Sequence, residues 1–163
     1  MAVTTIKGQQ VFDATIDPAV DMLLPTSSYS ASYILTGPGS WKLDTANLVV
    51  VFDGNGSVIN TGSFIDVEIP WNSYITDIIM MADQTGSFTF NIFKGTYASY
   101  PPTTASSICS ASRPTIAANY KSYDSTLTNW ITYIPSGSIL RYYSDSCSSI
   151  TRCSTILKLR KLT

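Results

Sequence analysis

The regular part of the chain begins near Leu48 and follows the two-residue period that β-strands impose on their side chains. In "SFIDVEIPW" (63–71), the apolar residues Ile65, Val67 and Ile69 alternate with the other positions. Successive side chains of a strand point to opposite faces, so these three would share one face. The pattern predicts a strand with one face on a core and the other towards solvent.

A turn is expected between the next two apolar segments. "YITDIIMMAD" (74–83) is almost continuously apolar, which is typical of a strand covered on both faces. "QTG" (84–86) has the composition of a turn. In "SFTFNIFK" (87–94), Phe88 and Phe90 share one face of a further strand.

The last third of the chain alternates between a long irregular stretch and regular strands. Residues 95–125 show no period and predict a loop, with one short helical turn expected after "PPTT". "LTNWITYIPSGSILRYYSD" (127–145) predicts two strands and a bend, with Trp130 in the core, and residues 148–162 predict a final strand. Trp71 suits either the core or a contact between subunits. About eight strands separated by turns indicate an all-β antiparallel sandwich or jelly roll.

Residues 1–45 lack this regularity. Short apolar spots are separated by Asp-Pro, Leu-Pro and polar tracts, and none is long enough to form a core. The sequence therefore predicts an extended N-terminal arm over residues 1–45 and one β-sandwich domain over residues 46–163. The arm residues expected to anchor the chain to another surface are Ile6, Val11, Phe12, Ile16, Leu23 and Leu24.

A glycine-rich acidic motif follows the first strand and admits two interpretations. It consists of Asp53, Gly54, Asn55 and Gly56. A calcium loop that starts Asp-x-Asn needs glycine at its sixth position and glutamate at its twelfth, where this chain has Val58 and Phe64. Asp-Gly and Asn-Gly also suit a tight turn between two antiparallel strands. The flanking β-branched residues favour the turn, and no metal or cofactor is expected.

Composition limits the chemistry that the chain can perform. Only 13% of its residues are charged and histidine is absent, which removes the commonest general base and the usual catalytic triads. The apolar content suits either a β core alone or a core together with surface buried between subunits.

Free thiols in a reducing cytoplasm are expected for the cysteines Cys109, Cys147 and Cys153. The start "MAVTTIKGQQ" lacks the features of a signal peptide, and no apolar run is long enough to span a membrane.

Three groups of side chains suggest chemistry, each with a plainer alternative. Asp66 and Glu68 lie on one face of a strand, as a glycosidase pair or as a solvated surface. Lys158 and Arg160 share a face of the last strand, where they suit either contact with phosphate or an acidic partner, or protection of a sheet edge. The loop tyrosines suit stacking on sugar rings, loop packing or a subunit contact, and they are Tyr97, Tyr100, Tyr120 and Tyr123.

The order of short motifs over residues 48–162 resembles a β-sandwich domain that recurs in virion proteins of tailed bacteriophages. The motifs are "FDGNGSVINTG", "VEIPWNSYITDIIMMADQTGSFTFNIFK", "YPPTTASSI", "RPTI", "LTNW", "IPSGSIL" and "ITRCSTILKL". The chain departs from the usual pattern at Asn91 (commonly aspartate), Phe93 (commonly tryptophan) and Trp71 (more often phenylalanine). These departures affect packing, since the family supplies no catalytic residues.

The resemblance implies a virion structural protein that assembles in the host cytoplasm, with itself as a homotrimer and with a major capsid protein or other virion protein as partners. A short arm on a compact domain favours a capsid decoration or cement protein over a tail-fibre or receptor-binding protein, which remains the alternative. Host glycan is a ligand only in that alternative. No enzyme activity, nucleic acid or membrane partner is expected.

Overall fold

The computed structural model describes residues 33–37 and 40–162. Within them the protein is all-β, with nine strands, two short 3-10 turns and no α-helix. The strands are β1 (Tyr33–Gly37), β2 (Ser40–Leu43), β3 (Thr45–Asp53), β4 (Phe64–Ile69), β5 (Ser73–Thr96), β6 (Thr115–Asp124), β7 (Tyr133–Ile134), β8 (Ser138–Ser148) and β9 (Arg152–Lys161). The 3-10 turns are Tyr97–Ser99 and Thr104–Ser106, and the second follows "PPTT" as the sequence predicts.

Seven strands form one antiparallel sheet that curls over on itself. The order is β3-β9-β5-β8-β4, and β6 and β7 pair with the other side of β5. Because β5 is 24 residues long, its first half pairs with β9 and its second half with β8. We call β3, β9 and residues 73–82 the first layer, and β4, β8 and residues 87–96 the second layer.

The core lies between the two layers and confirms the predicted sandwich. Phe52 of the first layer contacts two rings of the second, with ring centroids 5.0 Å from Phe88 and 5.6 Å from Phe90. Phe90 in turn stacks on Tyr142 at 5.8 Å. Burial of several aromatic and branched side chains stabilises the fold by about 1.5–3 kcal/mol each.

The prediction of a turn at 84–86 is wrong, because β5 continues through these residues. The pairing of β5 with β6 shifts register between Met81 and Gly86, and the strand changes partner here from β9 to β8. A methyl group at Gly86 would lie only 2.4 Å from the carbonyl oxygen of Ser148. Glycine thus permits the close approach of two backbones at the point where β5 passes between the layers.

The first half of β5 is covered on one face only, contrary to the expectation for 74–83. Ile75, Ile78 and Met80 are buried, whereas Tyr74 and Met81 are exposed. The apolar side chains of this run point alternately into the core and towards the outer face of the layer. A register shift between Ile75 and Asp77 preserves this alternation along a continuous strand.

Two further differences concern the stretch from 95 to 134. Strand β6 lies inside the predicted loop, where it pairs with β5. The strand expected before the Pro-Ser-Gly-Ser bend contracts to two residues, and Trp130 lies in a turn that packs on the core. The indole N–H of Trp130 donates to the carbonyl of Ser112 at 2.8 Å, which joins this turn to the preceding loop.

The predicted arm falls mostly outside the described residues, including Ile6, Val11, Phe12, Ile16, Leu23 and Leu24. Its last part contains β1 and β2, which form an antiparallel hairpin. Strand β3 begins at Thr45, close to the predicted domain boundary.

Candidate functional site

The acidic glycine motif forms a turn, but it is not the turn of a hairpin. The N–H of Ser57 donates to the carbonyl of Gly54 at 3.0 Å, and the N–H of Asn55 donates to the Asp53 carboxylate at 2.7 Å. The strand before the turn, β3, pairs with β9, whereas the strand after it, β4, pairs with β8. The motif therefore starts a connection from the first layer to the second.

Within the described residues, no group of three or more histidine, cysteine, aspartate or glutamate side chains is placed to hold a metal ion. In the same part of the chain, the structure contains no helix of the length and apolar character that membrane crossing requires.

Asp66 is held by an arginine and a tyrosine on the outer face of the second layer. Arg141 on β8 lies directly opposite Asp66 on β4, and its Nε and Nη2 donate to the two carboxylate oxygens at 2.8 and 2.7 Å. The hydroxyl of Tyr100 donates to Asp66 Oδ2 at 2.9 Å. These donors, with the Arg141 bonds as the largest effect, lower the pKa of Asp66.

The geometry does not support a glycosidase pair at Asp66 and Glu68. Both residues lie on β4 and face the same side, as predicted, and Glu68 is exposed. An acid catalyst needs a raised pKa so that it retains its proton, whereas the bidentate bond from Arg141 keeps Asp66 ionised. Asp66 acts here as a structural partner of Arg141.

Aromatic side chains surround this ion pair and form a small surface cluster, which we call the Arg141 cluster. It consists of Phe64, Asp66, Tyr100 and Arg141. The guanidinium carbon lies 4.1 Å from the ring centroid of Phe64 and 5.4 Å from that of Tyr100. Both rings are about half exposed. Flat rings beside a guanidinium suit a polar ligand with an apolar face, such as a sugar.

The predicted tyrosines do not form one site. Tyr97 and Tyr100 follow the end of β5, and Tyr100 contacts the second layer through Asp66. Tyr120 and Tyr123 lie on β6, and the Tyr123 hydroxyl donates to Asp77 of the first layer. All four rings are exposed. Tyr100 and the tyrosines of β6 therefore have different neighbours in the sandwich.

Several apolar side chains are exposed on the outer face of the first layer, among the residues that the structure describes. Neighbouring strands place Val49, Ile156, Ile79 and Tyr123 in one row across β3, β9, β5 and β6. Val51 and Met81 extend this row on two of the strands, and we call these six residues the outer apolar face. Val49, Val51 and Met81 are 56%, 43% and 46% exposed, which leaves them able to contact another molecule.

Basic side chains border the outer apolar face. Lys158 and Arg160 share the outer side of β9, as predicted, but β9 lies between β3 and β5 and is not a sheet edge. The Lys158 ammonium lies 5.9 Å from the ring centroid of Tyr123, and the Arg160 guanidinium carbon lies 5.2 Å from that of Tyr74. Edge protection is therefore the wrong role for these two residues, which lie over aromatic rings.

Val49 and Val51 are surface residues that the sequence pattern does not reveal. They belong to the run "LVVVF" (48–52), in which Val50 and Phe52 are buried and the intervening valines are exposed. A two-residue alternation divides any strand between two faces, so the sequence predicts that alternate residues of this run share a face. Because all five residues are apolar, the sequence does not show that one of the two faces is exposed.

The three cysteines are free thiols. Cys109 and Cys153 are buried, and burial raises the pKa of each to about 12. Cys147 is partly exposed, and burial raises its pKa as well. High thiol pKa values disfavour the reactive thiolate, so these side chains act as small apolar groups of the core and its margin.

Comparison with protein-family models and with curated proteins gives no match to this chain.

Proposed function

We propose that this protein is a structural component of a bacteriophage virion, a decoration or cement protein that binds the head surface as a trimer. The observation that carries the proposal is the outer apolar face, which exposes valine and methionine side chains on an otherwise complete sandwich. Exposed apolar area of this kind is typical of surfaces that bind other proteins. The resemblance to virion β-sandwich domains supplies the biological setting.

The state of the polar side chains agrees with a binding role. Asp66 is bonded to Arg141, Asp77 accepts from Tyr123, and Asp44 pairs with Lys161 at 3.3 Å. Bonded carboxylates of this kind connect neighbouring strands and stabilise the ionised form, which is the opposite of a poised general acid. These three carboxylates thus favour a binding module over a hydrolase.

The proposed role of the arm is to bind the virion surface. Its apolar residues Ile6, Phe12, Ile16, Leu23 and Leu24 are spread over a segment too broken to form its own core. Each would contribute about 1.5–3 kcal/mol when buried, which offsets part of the cost of ordering the arm. Three arms in one trimer would bind with high effective concentration.

Deletion of residues 2–30 tests this arrangement. The truncated protein is expected to retain its β circular dichroism and its oligomeric state, and to lose binding to purified particles in a sedimentation assay. A control with all five apolar arm residues kept and Lys7 replaced by alanine should bind normally. Undiminished binding of the truncated protein would show that the arm is not the anchor.

The second candidate is a receptor-binding tail protein that recognises host glycan, and the Arg141 cluster favours it. Half-exposed rings of Phe64 and Tyr100 flank a guanidinium, as in sites that hold sugar rings. A glycan array distinguishes the candidates. Binding that is lost in Tyr100→Ala but kept in Tyr120→Ala, which changes an exposed tyrosine of β6, would support the tail role.

A further inference from the structure

Strand β3 has one edge without a partner in the described part of the chain. Among residues 33–37 and 40–162, only β9 pairs with it, and the register runs without a shift from Thr45 to Asp53. Natural proteins protect edge strands with lysine, proline, bulges or short length. The nine residues "TANLVVVFD" contain no lysine or proline, and the pairing with β9 contains no bulge.

The hydrogen bonds at the two ends of β3 show which backbone groups face this edge. The N–H of Lys161 donates to the carbonyl of Asp44 at 2.8 Å, and the N–H of Gly54 donates to the carbonyl of Thr151 at 2.7 Å. Hydrogen-bonded and non-bonded pairs alternate along an antiparallel ladder. Even-numbered residues therefore bond to β9, and odd-numbered residues direct N–H and C=O to the open edge. These are Thr45, Asn47, Val49, Val51 and Asp53, and all five expose their side chains.

We propose that β3 pairs antiparallel with β3 of a second copy of this chain, about a two-fold axis through Val49. In this register Val49 lies opposite the partner's Val49, and every odd-numbered residue of β3 lies opposite another odd-numbered residue. The backbone groups that face the edge are then all matched, which is the condition for a continuous ladder. A two-fold contact uses the same surface on both copies.

The side chains are also complementary in this register. The outer apolar face continues across the contact, because Ile156 and Val49 of one copy adjoin Val49 and Ile156 of the other. Asp53 of one copy lies opposite Thr45 of the other, beside Arg160 on β9. Two acidic residues do not meet, whereas a register centred on Asp53 would place like charges together.

The pairing does not rest on the virion proposal, and it concerns the protein in solution before any particle is bound. It has its own consequence for the mass of the free protein. By itself it produces dimers. Combined with a three-fold contact it joins two trimers into six copies with D3 symmetry. In either case the mass is an even multiple of one chain, and disruption of the β3 contact halves it.

Light scattering after size exclusion tests the proposal with the full chain. Val49→Lys places a charge on the open edge and is expected to halve the mass of the wild-type protein. The matched control is Val58→Lys, since Val58 is exposed to a similar degree but lies in the loop after β3. Val51→Pro provides a second variant, because it removes an edge N–H that does not bond to β9. Circular dichroism confirms that each variant is folded.

A monomeric or trimeric wild-type protein, or an unchanged mass for folded Val49→Lys and Val51→Pro, would overturn the proposal. A short bismaleimide crosslinker tests whether Val49 lies opposite Val49 of the second copy. Chains carrying Val49→Cys should crosslink in pairs, whereas wild-type chains, with their native cysteines, and chains carrying Val58→Cys should not. Loss of mass in Val49→Lys without crosslinking of Val49→Cys would reject the two-fold axis through Val49.

Discussion

Asp66 shows how a single side chain can stabilise the second layer. Its carboxylate accepts two bonds from Arg141 and one from Tyr100, so that it joins β4, β8 and the loop after β5. The Arg141 and Asp66 side chains are 13% and 19% exposed, so solvent screens the pair only in part. Bonds to charged groups in such settings contribute about 1.5–3 kcal/mol.

We therefore expect Asp66→Asn to lower the free energy of unfolding by about 1–3 kcal/mol at neutral pH. Glu68→Gln is the matched control, since Glu68 lies on the same face of β4 but is exposed, and its effect should stay within about 0.5 kcal/mol. Urea unfolding followed by fluorescence provides both values. Equal losses for the two variants would contradict the structural role of Asp66.

The pH dependence of this difference has a defined sign. Because the folded-state pKa of Asp66 is lowered, its contribution is complete above the unfolded pKa of about 3.9 and is lost as the pH falls through the folded value. The stability gap between wild type and Asp66→Asn should therefore be constant from pH about 5 to 7 and narrow as the pH falls below the unfolded pKa. A gap that persists in acid would show that the charge is not responsible.

Thiol reactivity tests the burial of the cysteines. Cys109 and Cys153 are buried with pKa values of about 12, so very little thiolate forms at pH about 8. Ellman's reagent should react with the native protein at the partly exposed Cys147 first, and with all three thiols after unfolding in guanidinium. A Cys147→Ser variant provides the control. Rapid reaction of that variant in the native state would contradict this account.

Among the elements, β5 differs most from its prediction. The segment "QTG" predicts a turn there, because glycine and polar residues usually end strands. In the structure each half of β5 has its own partner, β9 before the bend and β8 after it, and pairing on both halves keeps the strand continuous. Propensity describes single residues, and it does not include the hydrogen bonds that β8 and β9 supply from much later in the chain.

Gly86 at this bend gives a prediction for the element. Gly86→Ala should destabilise the fold by about 1–3 kcal/mol, because the added methyl would lie 2.4 Å from the Ser148 carbonyl and backbone must move. Gly95→Ala is the control, since its methyl would meet the Pro102 ring at 3.1 Å, a contact that is relieved when the neighbour moves by a few tenths of an ångström. Thermal unfolding compares the two. A larger loss at Gly95 would contradict the assigned role of Gly86.

Strand β6 shows a second limit of prediction from pattern. Most of its side chains are exposed, and only Ile116 is fully buried, so no two-residue period is visible. Strands β4 and β9 were predicted correctly because one face of each lies on the core. A two-residue period in hydrophobicity arises when one face of a strand is buried. A strand that buries few side chains therefore shows little periodicity.

At the scale of the whole molecule, the all-β sandwich was predictable and the candidate surfaces were not. The Arg141 cluster combines β4, β8 and a loop through the register that sets Asp66 opposite Arg141, and no local pattern encodes that register. The outer apolar face likewise depends on the order β3-β9-β5 with β6 beyond it. Strand order and register come from packing between distant segments, which periodicity alone does not specify.

The proposed function joins these surfaces into one account. Among the described residues, the β-sandwich presents an apolar outer face and a β3 edge without a partner. In the proposed function, the apolar residues of the arm would contact the virion surface. The described carboxylates serve mainly as bonds within the sandwich. The proposed function therefore gives the protein a structural role.

Cryo-electron microscopy of particles that carry the protein tests this account most directly. We expect symmetric β-sandwich density on the outside of the head, with the arms following the shell. Particles assembled without the protein should lack that density and keep the same shell. Density confined to the tail would replace the decoration role with the receptor-binding alternative. Complete absence of the protein from purified particles would contradict the proposed function.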